Sequence, residues 1–267
     1  MNCPLCGKKG NKIFKGTLLG KFSVQYFQCN NCGLIYTETP YWLDEAYKDS
    51  ITGMDTGIMS RNVRNVFCAN ILVDKMFNKK AGFLDYGGGY GVFARMMRDV
   101  GYNWKWQDKY SPNLFARGFE YNGKEKIELI TAFELFEHFA EPKKELDNLF
   151  GMCNNILFST LLYDRKMKYK QFSNWWYYVP ETGQHIAFYS EKTCQYIARR
   201  YGVNYYHLCD DLHLFTDKKI KDEFIRFYFG NKHCWLVQSY LYNKNCGNSK
   251  GFMDMKKMMN YLKNNSK

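Results

Sequence analysis

Hydrophobic and polar positions change period several times along this chain, and each change marks an element. Phe22 to Gln28 alternates as a strand does. Met59, Val63, Val66 and Phe67 recur at helical spacing, and the pattern runs on to about Asn78. The apolar run from Ala81 to Leu84 leads through Asp85-Tyr86 into Gly87-Gly88-Gly89-Tyr90-Gly91, and Val92 to Met97 returns to helical spacing. This predicts a buried strand, a tight glycine turn and a helix, which Gly101 closes as a C-terminal cap. Tyr102 to Asp108 alternates again and ends in an acid; Phe119-Glu120 is a short third strand and Ile127 to Ala132 a clearer one. Pro142 opens a helix, and Asn155 to Thr160 forms the next strand. Ser190 caps a helix that ends at Gly202. Val203 to Leu208 and Leu212 to Thr216 close as a hairpin around Asp210-Asp211. Met255, Met258, Met259 and Leu262 predict a last, amphipathic helix. Strands alternating with helices imply a parallel sheet with right-handed crossovers, whose ligands bind at the strands' C-terminal ends.

The first forty residues follow a different logic. Cys3-Pro4-Leu5-Cys6 and Cys29-Asn30-Asn31-Cys32 are two C-x2-C pairs separated by 22 residues. Each pair is a knuckle that sets two thiolates on one ion, and four thiolates suit tetrahedral Zn2+. The site is expected to be closed and structural, because so short a segment buries too little core to fold unaided. Four unrelated cysteines are the weaker alternative. The chain has ten cysteines, and Met1-Asn2-Cys3-Pro4 does not read as a signal peptide. Thiols and metal are therefore expected rather than disulfides, in a cytoplasmic protein. The remaining six, Cys68, Cys153, Cys194, Cys209, Cys234 and Cys246, show no ligand spacing and are expected to pack as small apolar residues. The fold class expected is α/β: a Rossmann-like doubly wound sheet with a C-terminal antiparallel hairpin, plus a small N-terminal zinc ribbon. Residues 1–40 form the zinc-binding module, 41–57 a linker, 58–216 the main domain and 217–267 a basic C-terminal extension.

Charge and composition narrow the function classes. No apolar run approaches the ~20 residues needed to span a bilayer. The net charge is +12, with five Lys/Arg against one acid in residues 1–40 and eleven against four in 217–267, so 41–216 is close to neutral. A basic total invites a nucleic-acid reading, but the excess sits at the two ends. Solvated lysines are the simpler account, and attraction for an anionic substrate is the functional one. Aromatics make up 18% of the chain. Many fall in a long connection, residues 161–189, where Trp175, Trp176, Tyr177 and Tyr178 read either as stacking surfaces for a sugar or base, or as lid or core.

Asp85 at the end of its strand suits a donor such as an amino group or a ribose hydroxyl better than a pyrophosphate, and no lysine follows the glycines. Asp108, some ~20 residues on, suits ribose hydroxyls. The stretch Asp85-Tyr86-Gly87-Gly88-Gly89-Tyr90-Gly91, Asp108, the segment Thr131 to His138 with Glu141-Pro142, and His185-Ile186-Ala187-Phe188-Tyr189-Ser190 together resemble the class I S-adenosylmethionine-dependent methyltransferases over roughly residues 60–216. The zinc knuckles resemble those of a subgroup acting in sugar and cell-surface polysaccharide biosynthesis, such as capsule or O-antigen. The resemblance implies that Asp85 accepts hydrogen bonds around the cofactor's amino-acid portion. Gly87, Gly89 and Gly91 admit the cofactor, Asp108 holds its ribose, and Ala132 and Phe133 line its methionine and adenine surfaces. The longer sugar C-methyltransferases carry a further C-terminal domain for which this chain has no room, so O-methylation is the expected chemistry.

A hydroxyl acceptor benefits from a general base, which typically contributes ~10²–10⁴-fold. His185, where the 161–189 connection rejoins the fold, is the first candidate, with a loop-fixing histidine as the alternative. If a helix begins near Glu134, then Glu134, Glu137 and His138 share a face and are candidates for proton transfer or for a divalent ion, as a similar Glu-x-x-Glu-His in some ubiquinone-type O-methyltransferases implies. The alternative is that Glu137-His138 caps or pins the helix. His207, His213 and His233 lack partner spacing and read as structural. The expected function is transfer of a methyl group to a small-molecule acceptor, a nucleotide-linked or phosphorylated sugar, with nucleic acid not the expected partner and the oligomeric state not indicated. The competing class is an RNA or protein methyltransferase that binds its substrate through the zinc module and basic tail.

Overall fold

The computed structural model describes residues 1–48, 51–230 and 234–265. Its elements are β1 (Asn11–Leu18), β2 (Phe22–Gln28), β3 (Ile35–Thr37), α1 (Leu43–Ala46), α2 (Ile58–Met76), β4 (Gly82–Tyr86), α3 (Val92–Asp99), β5 (Asn103–Gln107) and β6 (Ile127–Phe133). There follow α4 (Pro142–Met152), β7 (Ile156–Ser159), α5 (Tyr169–Ser173), β8 (Ala187–Phe188), α6 (Glu191–Tyr201), β9 (Asn204–Cys209), β10 (Leu212–Thr216), α7 (Asp222–Tyr228), α8 (Cys234–Cys246) and α9 (Gly251–Asn265). Two compact units result: Met1–Thr52 with Ala132–Lys219, and Gly53–Thr131 with Ile220–Lys267. Strand β6 belongs to both, passing from one to the other after Thr131.

In the unit built from residues 53–131 and 220–267, β4 pairs in parallel with β5, Gly82 opposite Asn103 through Tyr86 opposite Gln107. On its other side β4 pairs in parallel with β6, with Asp85 opposite Thr131. The winding therefore reverses at β4, a switch point of the kind beside which α/β sheets bind ligands. Phe83 and Leu84 are fully buried, and Phe83 stacks on Trp104 at 4.7 Å between centroids. Helix α3 buries Phe93, Ala94 and Met97. Polar groups pin α8: Asn245 Nδ2 donates to Asn70 Oδ1 (2.8 Å) and to the Tyr102 hydroxyl (3.0 Å).

The unit built from residues 1–52 and 132–219 holds two sheets. One continues β6 through β7, β10 and β9. Here β10 runs antiparallel to both β7 and β9, which is the predicted closing hairpin. The strand order β5-β4-β6-β7-β10-β9 is thus the mixed α/β sheet that the sequence indicates. The second sheet, β1-β2-β3-β8, is antiparallel throughout. Its core joins Phe14, Val24, Tyr26 and Ile35 to Phe172, Tyr177, Tyr178 and Phe188 from the 161–189 connection. Trp42 from the linker is 1% exposed, and its indole N–H donates to the Gly183 carbonyl at 2.8 Å.

The compact units follow different boundaries from the four segments read off the sequence, because β3 takes β8 as its neighbour (Ile35 opposite Phe188). Residues 119–120 form only a single bridge, Glu120 to Trp106, rather than a strand. Val100 takes the C-cap position of α3, and Gly101 follows with φ 108°. Pro142 opens α4 as its sequence indicates, whereas the conditional helix at Glu134 does not form and only a 3-10 turn, Phe136–His138, lies there. Helix α9 bears out only part of its predicted methionine face: Met258 is half-buried beside Gly118 and Asp254 is buried, whereas Met255 and Met259 are 48% and 47% exposed. The side chain of Leu262, like all of His233, lies outside the described residues.

Candidate functional site

The carboxyl end of β4 and the glycine loop form one cluster. Gly87, Gly89 and Gly91 all adopt positive φ, and Gly91 is the N-cap of α3. A Cβ on Gly91 would lie 2.8 Å from Asn113 Oδ1, so both conformation and space demand glycine there. At Gly88 a Cβ would meet Asp85 Oδ2 at 2.5 Å, so that position stays open for the carboxylate. The loop is tied down by Gly87 N–H and Gly88 N–H to the Gln107 carbonyl (2.8 and 3.2 Å) and by the Trp106 indole N–H to the Gly89 carbonyl (2.9 Å).

Asp85 is 2% exposed; its Oδ1 accepts from the Thr131 hydroxyl at 2.9 Å, and its Oδ2 is buried with no partner. Burial, reinforced by the charge of Asp108, pushes its carboxyl up to about 7, against the opposing Thr131 hydrogen bond. An orphaned buried carboxylate oxygen beside a side-chain-free loop fits a cationic donor, such as the ammonium of an amino-acid-bearing cofactor. Asp108 Oδ2 accepts from Gly89 N–H at 2.9 Å, and Oδ1 accepts from Tyr110 and Ser111 N–H at 2.7 Å. Its carboxylate thus already fastens the loop after β5 to the glycine turn. The sequence assigns no role to Thr131, which enters only as the first residue of a family-like segment and acts through β4–β6 pairing, or to Trp106, which sits in a strand whose alternation marks no single residue. Ala132 and Phe133 end β6, one fully and one half buried, in the other compact unit.

In that unit a second cluster gathers Glu137, His138 and His185, each offering a ligand atom within 4.8 Å of the others. The rings of His138 and His185 lie 5.0 Å apart at 78°. His138 Nδ1 lies 3.0 Å from the Gln184 carbonyl and His185 Nδ1 2.7 Å from the Tyr177 carbonyl. Glu137 is fully buried, and its Oε1 accepts from the Tyr177 hydroxyl at 2.6 Å. Burial and then His185 hold His138 down at about 3, so it is a neutral imidazole at physiological pH; burial raises Glu137. Glu134 stands apart from the set. It precedes the 3-10 turn with φ 48°, and its Oε1 accepts from the Ser159 hydroxyl at 2.6 Å. The shared face of Glu134, Glu137 and His138 therefore does not form, because no helix starts there, and His185 takes the third place. Trp176 is 73% exposed, whereas Tyr177 and Tyr178 are core. His213 is buried in β10 with Nε2 3.0 Å from the Thr160 carbonyl and Nδ1 3.1 Å from the Tyr205 hydroxyl.

The four cysteines Cys3, Cys6, Cys29 and Cys32 also converge, with ligand atoms within 4.8 Å of one another. Sγ–Sγ separations are 3.6 Å for Cys3–Cys32 and 3.4 Å for Cys6–Cys29. Tetrahedral thiolates at ~2.3 Å from one ion stand about 3.8 Å apart, so the donor set suits Zn2+. Of the remaining six cysteines, Cys68, Cys153 and Cys194 are buried, and Cys209, Cys234 and Cys246 are partly so.

Comparison with known proteins matches residues 59–208 to the methyltransferase domain family. No curated protein matches. Among solved structures, the magnesium protoporphyrin IX methyltransferase of Synechocystis PCC 6803 with bound SAH is similar at 12% identity and TM-score 0.45, covering 65% of this chain and 92% of that one. An O-methyltransferase family protein from Burkholderia thailandensis gives 12% and 0.44, covering 65% and 61%, and PigF with SAH gives 14% and 0.47, covering 67% and 62%. This chain therefore spans about three fifths of the latter two. The family match takes in β4, the glycine loop, Asp108 and the cluster of Glu137, His138 and His185, and on it the chain belongs to the methyltransferase domain family, the class I S-adenosylmethionine-dependent methyltransferases.

Proposed function

We propose that the protein O-methylates a small polar acceptor, a sugar or phosphate-bearing precursor of a surface glycan. Bound S-adenosylmethionine supplies the electrophilic methyl group on a sulfonium. Asp85 Oδ2, the buried oxygen without a partner, accepts from the cofactor's ammonium; the glycine loop leaves its backbone accessible, and Asp108 has lone pairs for the ribose hydroxyls. Ala132 and Phe133 line the methionine and adenine surfaces.

The observation that carries the choice of a hydroxyl acceptor is the lone-pair cluster of Glu137, His138 and His185. Its imidazoles spend their Nδ1–H protons on backbone carbonyls. What remains is acceptor capacity, the requirement for drawing a proton from a hydroxyl as it attacks the methyl carbon. The acceptor's proton leaves at this cluster, to which His185 contributes a partly exposed ring. The cysteine cluster holds structural Zn2+, and its likeness to the knuckles of sugar-modifying methyltransferases supports the glycan assignment.

A methyl-transfer screen over nucleotide-activated sugars, phosphorylated sugars and RNA tests this. Transfer to a sugar-type acceptor is expected, with loss of at least ~10²-fold in kcat for His185→Ala. Transfer to RNA alone, with steep salt dependence, would overturn it. Calorimetry with S-adenosylmethionine tests the cofactor assignment directly.

A further inference from the structure

Helices α8 and α9 hold to the body through polar anchors and turn large apolar side chains outward. On α8, Leu241 and Asn245 are buried, and Asn245 donates to Asn70 and Tyr102. Trp235 and Tyr240 project from the opposite side of the helix, 59% and 67% exposed, and Leu236 shares that side. On α9, Asp254 is buried against Arg98 and Arg95. Phe252, Met255 and Met259 share another side at i, i+3 and i+7, and Phe252 is 65% exposed. Single exposed apolar residues are ordinary, but two consecutive helices that each present three of them on one side are not. A helix that meets only water keeps polar residues on its outer side.

The charge of the same segment says what covers these sides. Residues 234–265 carry Lys244, Lys250, Lys256, Lys257 and Lys263, and Asp254 is their single acid. Asp254 is spent inward on Arg98 and Arg95, so α8 and α9 present no carboxylate side chain outward. Lys244 and Lys256 are exposed, and Lys256 Nζ lies 4.5 Å from the centroid of the Phe252 ring. A lysine stem along an apolar ring, with its ammonium at the polar edge, suits a boundary between oil and water. A second copy of the chain would set lysine against lysine across a two-fold interface. A nucleic acid would take up the charge and the aromatic rings but leave Leu236, Met255 and Met259 in water. An anionic lipid interface answers both: Trp and Tyr rings sit at headgroup level, Leu and Met reach the acyl boundary, and the lysines meet lipid phosphates.

We propose that α8 and α9 bind the surface of a bilayer that contains anionic phospholipid, with their outer sides lying in the interface plane. The apolar side chains and the lysines are two separate signals, and reversible attachment draws on both. This surface does not rest on the proposed O-methylation, because none of its residues belongs to the cofactor loop or to the cluster of Glu137, His138 and His185.

Cosedimentation of the full chain with vesicles of phosphatidylcholine and phosphatidylglycerol in equal parts tests this. Saturable binding is expected, at least ~10-fold tighter than to phosphatidylcholine alone and weaker at high salt. Trp235→Ser combined with Phe252→Ser should weaken it at least ~10-fold. Lys244→Gln combined with Lys256→Gln should remove at least ~10-fold of the preference for phosphatidylglycerol. Brominated acyl chains should quench part of the tryptophan emission of the wild type, and Trp235→Phe should lose that part. All these changes fall on exposed side chains, so S-adenosylmethionine affinity should stay as in the wild type. The lysine pair carries the test should the apolar pair fail to fold. No binding by the wild type, or equal binding by the wild type and the lysine pair, would overturn the surface. So would a dimer that the apolar pair abolishes, or binding to RNA without binding to vesicles. An enzyme that methylates a small acceptor yet ignores vesicles would lose this surface and keep O-methylation.

Discussion

At the scale of single residues, Asp85 sets its proposed cofactor-binding role against stability. Its carboxyl is raised from the ordinary 3.8 to about 7, first by burial and then by Asp108. Between those values the folded state binds more protons than the unfolded state, so stability falls as pH rises from about 4 to 7. Above 7 the cost is fully present, up to ~4 kcal/mol for a shift of about three units. Asp85→Asn should therefore raise the Tm at pH 8, give no gain at pH 4, and abolish S-adenosylmethionine binding. In the wild type, binding measured by calorimetry should weaken as pH falls below 7, approaching tenfold per unit as the carboxylate is protonated. A Tm at pH 8 identical to wild type would show that Asp85 is not held as an uncompensated charge. The acid itself was legible, since it ends an apolar strand run before a glycine turn. Its strain was not, because the one hydrogen bond it accepts comes from Thr131, 46 residues away, through a strand register that no local pattern encodes.

Elements divide the same way into locally and remotely specified ones. Strand β4, helix α3 and the β9–β10 hairpin carry their apolar period, glycines and caps within a few residues, and they form where the pattern puts them. Ser190 caps α6 as its sequence indicates, accepting from Thr193 N–H. Helix α9 shows the other case. Its methionine spacing predicts a buried apolar face, but its position is decided by Arg98, a buried guanidinium 3.6 Å from the centroid of Phe119. Arg98 Nη2 and Nε donate to Asp254 Oδ1 and Oδ2, both at 2.7 Å, and Arg95 Nη1 adds a bond of 2.9 Å to Oδ2. An unpaired buried arginine costs more than exposing methionines, so α9 turns its acid inward. Asp254→Ala should destabilise by ~3–5 kcal/mol in urea unfolding, whereas Met255→Ala should change stability by no more than ~0.5 kcal/mol. Arg98→Met combined with Asp254→Leu should recover most of the loss. A mild effect of Asp254→Ala would mean that the pair is not the anchor of α9.

For the molecule as a whole, the doubled C-x2-C spacing reads as a forty-residue appendage, and the structure makes it part of a larger unit. The Gly33 carbonyl, in the second knuckle, accepts from the Tyr163 hydroxyl and, at 3.4 Å, from Ser190, the cap of α6. Lys192 Nζ donates to the Asn30 carbonyl at 2.6 Å, and β8 completes the knuckle sheet beside β3. These partners come from 130 or more residues downstream, which is why spacing alone set the boundary at residue 40. If the cysteines hold the proposed Zn2+, its contribution reaches beyond them: removing the ion would leave four converged thiols that repel once ionised, and would loosen the two turns on which Tyr163, Ser190 and Lys192 rest. Chelation under reducing conditions should speed amide exchange in β1, β2 and β3 and also at Tyr163, in β8 and at the start of α6. Zinc added back should restore protection in both groups together. The two groups share hydrogen bonds through the second knuckle, so exchange that quickens only within residues 1–40 would show that the cysteine module folds on its own account and merely borrows a strand.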